Sequence, residues 1–405
     1  MYKAKKAKFS NRNRILECIY RNAPISRIDI ADLTDITPAT VTMNVTALIS
    51  EGIVRETGEA NTEDIAPGRR KILIDLIPDY AYSIGIEFTQ KALVLCITNI
   101  KGSIIIEKNI PFIEQLAFNI TNEIITHLHQ LIEASNLPIN RIVGIGIGVP
   151  GHMDFAQQKM VTNNPLWASF QPNSIREAFS LPVILENNVR CMALSEYLFK
   201  PNNSPDNFAF FHVSLGMYCA NIIDGEIFIG NNYVSGEIGH SIANANGRRC
   251  ECGKYGCLQT ISGERWLLNI AQLLYENDNS TILKTLVQNK DEITIEHITT
   301  AYEMGDPAIS TYISEALKAL GITASNIAIF TSPEKIFLHG QLFNNKAIRS
   351  ELMDFIMRQL LFVDSTSTDS FEILPYSLAD GALGASALSI LHFLIRGQSL
   401  EEHND

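Results

Sequence analysis

Apolar residues recur at helical spacing from the start of the chain. Ile15, Leu16, Ile19 and Tyr20 put one buried stripe on a helix over 13–20 that stops near Asn22-Ala-Pro24. Ile28, Ile30, Ala31 and Leu33 line a second helix, opened by Ser26 with Asp29 three residues on, a variant of the capping box. After the turn Thr34-Asp35-Ile36, Thr37 is placed to cap a third helix and Pro38 to occupy its first position, where a missing N–H costs nothing. Val41, Val45, Leu48 and Ile49 turn inward along this helix to Ser50, and Gly52 ends it. Strand-like segments at 53–57 and 71–75 then flank a polar loop containing Pro67-Gly-Arg-Arg70. Three helices and a basic-tipped hairpin predict a winged helix-turn-helix domain over residues 1–75.

Past residue 76 the apolar runs shorten to strands. Segments 81–88, 92–98 and 103–106 read as a β-meander, 119–134 has helical spacing, and 142–149 is a buried strand running into Pro150-Gly151-His152. The same succession restarts at 208–229, which predicts two related lobes, 76–195 and 196–378, around a cleft of the kind that binds small ligands. The apolar run 382–395 is short of the roughly 18 residues a membrane span requires, so it reads as a buried helix. Residues 379–405 are expected to carry that helix back to the first lobe as a hinge element, its small residues allowing close packing, although its apolar length would equally serve a dimer interface.

The net charge of −12 argues against a nucleic-acid binder if the chain is taken as a whole. The charge is uneven, however. Lys3, Lys5, Lys6, Lys8, Arg12, Arg14, Arg21 and Arg27 stand against Glu17 alone, so phosphate contact is expected only at this end. The outward residues near the start of the third helix, Thr37, Ala39, Thr40, Thr42, Met43 and Asn44, are small or hydrogen-bonding, as a helix end set in a major groove needs. Arg69 and Arg70 would touch the minor groove or backbone from the wing. A protein-interaction module of three helices is the alternative, because the recognition helix has no Arg or Lys. Of seven cysteines, Cys250, Cys252 and Cys257 are clustered, a metal pattern rather than a disulfide framework. With no stretch resembling a signal peptide at the start, a cytoplasmic protein is expected, associated with the nucleoid when bound to an operator.

Four segments carry a family likeness: Gly148-Val-Pro-Gly151, Leu185-Glu-Asn-Asn188, Ser235-Gly-Glu-Ile-Gly-His240 and Cys250-x-Cys252-Gly-x-x-Gly256-Cys257. In order and spacing they resemble the ROK family, which groups repressors with bacterial sugar kinases. The winged helix in front resembles the branch holding xylose and N-acetylglucosamine repressors. The resemblance implies an α/β actin-like, two-lobed sugar-kinase fold of the ribonuclease H-like kind. It also places sugar-hydroxyl contacts on Gly151, His152, Asn164, Asn187, Asn188, Glu237, His240 and Gln259, the last where the family usually has Glu. His240 with Cys250, Cys252 and Cys257 would make a closed tetrahedral zinc set, structural because no coordination position stays open. Its expected task is to pin the loop carrying Glu237 and Gln259 against the cleft, with His240 facing the sugar through its other edge.

Kinase chemistry is expected to be lost, and no ATP is expected to bind. The family kinases carry Asp as general base where this chain has Asn188, which cannot take a proton. Their first phosphate loop, Asp followed by paired glycines, is replaced by Glu87-Phe-Thr89-Gln90. In the second, Ser214-Leu-Gly-Met-Tyr-Cys-Ala220 keeps only Gly216, with Met217 and Tyr218 expected at the phosphate position. The sum is a sugar-responsive repressor of carbohydrate-utilisation genes, a homodimer or homotetramer whose partners are operator DNA and a small sugar and not a membrane. The rivals are a DNA-binding protein whose body senses a protein partner, and a bifunctional sugar kinase.

Overall fold

Side-chain caps start the first three helices. The Ser10 hydroxyl accepts from the Asn13 amide at the head of α1 (Asn11–Asn22), and Ser26 accepts from the Asp29 amide at the head of α2 (Arg27–Thr34). Thr37 caps α3 (Pro38–Glu51), with Pro38 in its first turn, and left-handed Gly52 closes it. Ile15, Leu16, Ile19, Ile30, Val41, Val45 and Leu48 are fully buried. Strands β1 (Ile25–Ser26), β2 (Val54–Glu59) and β3 (Ile72–Leu76) form an antiparallel sheet in the order β1-β3-β2, which completes a winged helix. The computed structural model describes residues 9–59, 71–154, 159–161, 165–200, 204–230, 234–360 and 368–397. These fall into two compact units, Met1–Ser204 with Leu378–Asp405, and Pro205–Ser377.

In the first unit, β4 (Tyr82–Phe88), β5 (Ala92–Asn99) and β6 (Ile104–Pro111) form the meander, longer in its third strand than the apolar run 103–106 indicates. Strand β7 (Ile142–Val149) joins β4 in parallel. A hairpin of β8 (His152–Asp154) and β9 (Lys159–Val161) follows, and β10 (Val183–Asn187) then lies parallel to β7, giving the order β10-β7-β4-β5-β6. Between these strands come α4 (Glu114–Phe118), α5 (Ile120–Ser135) and α6 (Pro172–Phe179), and after them α7 (Asn188–Phe199). Ile120, Ile124, Leu128, Ile175 and Phe179 cover one face of the sheet. The other face is covered by α7 and by a helix from the far end of the chain, α14 (Asp380–Ser389), which runs on into a π-helical turn over Ile390–Ile395. That helix lies on bare backbone: a Cβ at Gly85 or Gly146 would stand 1.8 Å from the carbonyl oxygens of Ala382 and Ala385. Glycine on β4 and β7 therefore sets how closely α14 approaches.

The second unit repeats the plan. Strands β11 (Phe208–Val213), β12 (Met217–Ile223) and β13 (Glu226–Ile227) are antiparallel, and β14 (Lys335–His339) and β15 (Phe371–Ile373) are parallel to β11, in the order β13-β12-β11-β14-β15. Strand for strand this matches β6-β5-β4-β7-β10, with the third strand cut to two residues. Among the described residues the unit also holds α8 (Gln259–Ser262), α9 (Glu264–Asn277), α10 (Leu283–Leu286), α11 (Ile295–Glu303), α12 (Pro307–Thr331) and α13 (Lys346–Gln359). By length and composition α12 is apolar enough to cross a membrane, a stretch that the apolar run 382–395 had overshadowed. Here Ile309, Ile313, Ala316, Leu317, Leu320 and Ala324 bury it in the core of the unit.

Candidate functional site

On α3, Thr37, Ala39 and Thr42 are exposed and Thr40 and Asn44 half-buried. Thr42 donates to the Pro38 carbonyl (2.8 Å) and Asn44 Nδ2 to the Thr40 carbonyl (2.8 Å), so each oxygen still has acceptor capacity for a base edge. Met43, 67% exposed, adds an apolar contact beside them. Arg69 and Arg70, and Lys3, Lys5, Lys6 and Lys8, lie outside the described residues. The remaining cations of the basic end are already engaged. Arg12 pairs with Glu51 (2.5 Å), Arg27 pairs with Glu56 (2.9 Å), and Arg14 donates to the Thr34 carbonyl.

Arg21 is taken up by α7. Its guanidinium lies over the Tyr197 ring, 3.8 Å from the centroid, and donates to the Tyr197 carbonyl and the Ser204 carbonyl, each at 3.1 Å. It thus holds the C-terminal end of α7, where free carbonyls attract a cation. Asn13 makes a second tie, from Nδ2 to the Arg396 carbonyl at 2.7 Å, and Arg396 stands 3.8 Å from Glu17. Sequence reading counted Arg21 with the DNA-facing charge, and no local pattern reveals that α7 takes it up.

Gly151, His152, Asn187 and Asn188, where the family resemblance places sugar contacts, come together at the N-terminal end of α7. Asn187 Oδ1 accepts from the Val189 amide (3.0 Å) and the Arg190 amide (3.2 Å), and Nδ2 donates to the Gly151 carbonyl (2.8 Å). Asn187 is therefore the helix cap and the clamp on the Gly151 turn, with one amide hydrogen left over. Gly151 is exposed at φ +90° and His152 half-buried beside it. Glu186 is enclosed, and burial pushes its carboxyl up to about 7 against the pull of Arg190, 3.4 Å away. Asn188, half-buried, donates from Nδ2 to Glu87 Oε1 at 2.8 Å. Asn164 lies outside the described residues.

Side chains fill the two segments that stand where the resemblance to the family kinases would place phosphate loops. After Glu87, Phe88 is fully buried against Trp167 and Phe170, with ring centroids at 5.0 and 4.8 Å. The Thr89 hydroxyl accepts from the Lys91 amide (3.1 Å) and the Ala92 amide (3.4 Å), donors that a phosphate loop would leave open. In the second unit Met217 enters the core, and the buried Tyr218 ring packs beneath Gly236 while its hydroxyl donates to the Ser235 carbonyl at 2.8 Å.

The second unit also brings His240, Cys250, Cys252 and Cys257 together, with one ligand atom from each inside 4.8 Å of all the others. Cys250 Sγ is 3.5 Å from His240 Nδ1 and Cys252 Sγ is 3.6 Å from Cys257 Sγ. Bonds of about 2.3 Å to sulfur and about 2.0 Å to nitrogen give a tetrahedron with edges of about that size, so the donor set fits zinc. Burial and the nearby Lys254 ammonium hold His240 below the usual imidazole range, which keeps a ring lone pair available. Its Nε2 edge stands 3.9 Å from Glu237 Oε2. The Gln259 amide donates to Cys250 Sγ (3.5 Å) and to Glu251 Oε1 (3.0 Å), which ties it to the loop. A Cβ at Gly256, φ +73°, would fall 1.6 Å from the Asn244 carbonyl oxygen, so only glycine closes this turn. Arg248 stacks on Trp266 of α9 at 3.6 Å and fastens the loop from its other side.

Residues 83–391 match the ROK family and residues 10–55 match a winged helix-turn-helix DNA-binding domain. Over 393 residues, 95% of this chain and 96% of the relative, the sequence is 27% identical to the xylose repressor of Bacillus subtilis. It is 26% identical over 342 residues to the Escherichia coli DNA-binding transcriptional dual regulator NagC, covering 82% of this chain and 80% of that one. A solved ROK family transcriptional regulator, a homologue of the E. coli MLC protein, is similar with a TM-score of 0.71 at 24% identity, over 95% of this chain and 97% of that one. A ROK family glucokinase from Streptomyces griseus, solved with glucose and AMPPNP, gives 0.65 at 19% identity, over 76% and 99%. The fold is thus the actin-like sugar-kinase fold preceded by a winged helix-turn-helix.

Proposed function

The chain belongs to the ROK family, and from that membership we propose that it is a DNA-binding transcriptional repressor of carbohydrate-utilisation genes, whose kinase-like body binds a sugar as effector without phosphorylating it. The observation that carries this reading is the docking of α1 on α7. The two ends of one helix meet the two functions, with Asn187 and Asn188 at its head and Arg21 of the DNA-binding domain holding its tail. A sugar hydroxyl bonded at the head displaces a rigid rod whose far end seats the winged helix. Ligand binding then biases which orientation of that domain is populated.

In this reading the sugar-hydroxyl contacts in the first unit are Gly151, His152, Asn164, Asn187 and Asn188, and those in the second are Glu237, His240 and Gln259. Xylose and N-acetylglucosamine, the sugars in the relatives' names, are the first candidates. Two features support the loss of phosphoryl transfer: Asn188 has no proton-accepting carboxylate, and the Thr89 hydroxyl fills the turn where backbone amides would meet phosphate. His240, Cys250, Cys252 and Cys257 would hold a structural zinc ion, which fixes the loop between Ile238 and Gly263 when bound. Thr37, Ala39, Thr40, Thr42 and Asn44 read the major groove, and Arg69 and Arg70 supply the wing contacts. A homodimer or homotetramer sets two such helices on a palindromic operator. The protein works in the cytoplasm, at the nucleoid when bound.

Gel-shift titration of the purified protein on the DNA upstream of its own gene, at fixed salt, with and without pentoses, hexoses and aminosugars, tests the reading. A shift abolished by one sugar supports it and names the inducer. Binding that no sugar alters removes the sensor half, and ATP-dependent phosphorylation of any of these sugars removes the claim of a silent kinase.

A further inference from the structure

The geometry points to Glu87 as the residue that decides which hydrogen bond Asn188 offers to a ligand, an inference that rests on the sugar-effector reading above. Glu87 sits near the end of β4 and is 5% exposed. A Cβ on Gly381, in the first turn of α14, would fall 2.0 Å from its carboxyl carbon, so helix backbone closes over the carboxylate. Its one described hydrogen-bond contact is Asn188 Nδ2, 2.8 Å from Oε1.

An ionised carboxylate only accepts, so the neighbouring amide must turn its NH2 toward it. The two branches of an amide diverge, and Oδ1 of Asn188 is then directed away from Glu87. Because Asn188 is half-buried while Glu87 is enclosed, the amide and not the acid is the group within reach of a ligand. The site therefore keeps the acceptor character of the Asp that the kinase resemblance implies at this position, and gives up its basicity. A sugar hydroxyl can donate to Oδ1 and cannot lose its proton to it.

The arrangement is reversible by protonation. A protonated Glu87 can donate, and the amide is then free to rotate and present NH2 outward. Burial raises the Glu87 carboxyl to about 7, with Asp380 on α14 adding to the rise and Asn188 on α7 and Lys91 after β4 opposing it. The Cys191 thiol on α7 also feels this charge and stays protonated by burial. Acceptor orientation is thus maintained above pH 7 and lost below it.

The test uses the full chain labelled with 15N-asparagine, with Asn188→Asp to assign the Asn188 side-chain signal. In the wild type that signal shifts with a midpoint near pH 7, and in Glu87→Gln it does not. Calorimetric titration with D-xylose, D-glucose and N-acetylglucosamine at pH 8 gives about 5- to 10-fold weaker affinity in Glu87→Gln for the sugar that binds, the loss expected for one hydrogen bond. Wild-type affinity declines toward pH 6 while the variant's stays flat, and operator binding without sugar serves as the folding control. An Asn188 signal that ignores pH, or an affinity unchanged by Glu87→Gln, overturns the inference. If the signal titrates and none of the sugars binds, the hold of Glu87 on Asn188 stands, and the sugar-effector reading and the ligand-directed half of this inference both fall.

Discussion

A carboxylate as enclosed as Glu87 makes stability depend on pH in a direction opposite to that of an ordinary surface acid. Its folded-state pKa is raised from 4.5 to about 7, so the contribution it makes is present below about pH 4.5 and is lost as pH rises through 7. Replacing it by the isosteric amide removes that loss. The Tm of Glu87→Gln is expected to gain on the wild type by a few degrees between pH 6 and pH 8, since a tenfold change in a protonation equilibrium corresponds to about 1.4 kcal/mol. Asn188→Asp should move the other way, because two carboxylates in contact cannot both ionise cheaply. Thermal melts of the three proteins at the two pH values check both signs; a pH-independent gap would contradict the assignment. Sequence reading saw Glu87 only as a damaged phosphate loop. Its partner is 101 residues away, and a contact between a strand end and a helix head leaves no trace in local periodicity.

Caps and turns made the second and third helices legible, because Ser26, Thr37 and Gly52 act on residues within one helical turn of themselves, whereas the Ser10 cap that starts α1 was not read. Elements whose limits are set by packing were less so. Strand β13 has two residues where the repeat of β6 would have eight, and α12 conceals a 25-residue apolar stretch behind small and polar positions. The cysteine loop lies between these cases: the spacing of Cys250, Cys252 and Cys257 reveals a cluster, while the anchor from Arg248 to Trp266 depends on where α9 packs. At this scale, metal analysis is expected to find one zinc per chain, and Cys257→Ser to abolish it. Limited proteolysis of the zinc-free protein should then cut first between residues 241 and 257, with Asn11–Glu51 still helical by circular dichroism. Equal protection of that loop with and without metal would remove the structural role.

In the molecule as a whole, the repeated strand order was visible as a recurring succession of apolar runs, but the coupling between sensing and DNA binding was not. In the proposed function that coupling runs through α7, which would make Arg21→Ala a separation-of-function variant. Loss of two hydrogen bonds and a ring contact at the tail of α7 should leave operator affinity within about 3-fold while blunting release by the inducing sugar about 10-fold. Gel shifts with and without sugar measure both. Loss of operator binding together with folding would place Arg21 in stability alone.

The first unit is assembled from residues that are synthesised far apart in time. Asn13 bonds the carbonyl of Arg396, 383 residues later, and the glycine face of β4 and β7 stays bare until α14 arrives. A nascent chain already has a winged helix able to fold early from local contacts and α7 to receive it, but the tie from Asn13 to Arg396 and the cover on the sheet wait until residues 380–396 have been made. On the proposed sugar-effector reading, messages cut short before that point would yield DNA-binding fragments with an uncovered sheet and an impaired response to the sugar. A cell has reason to degrade these, since such a fragment would occupy an operator that the inducer would clear poorly.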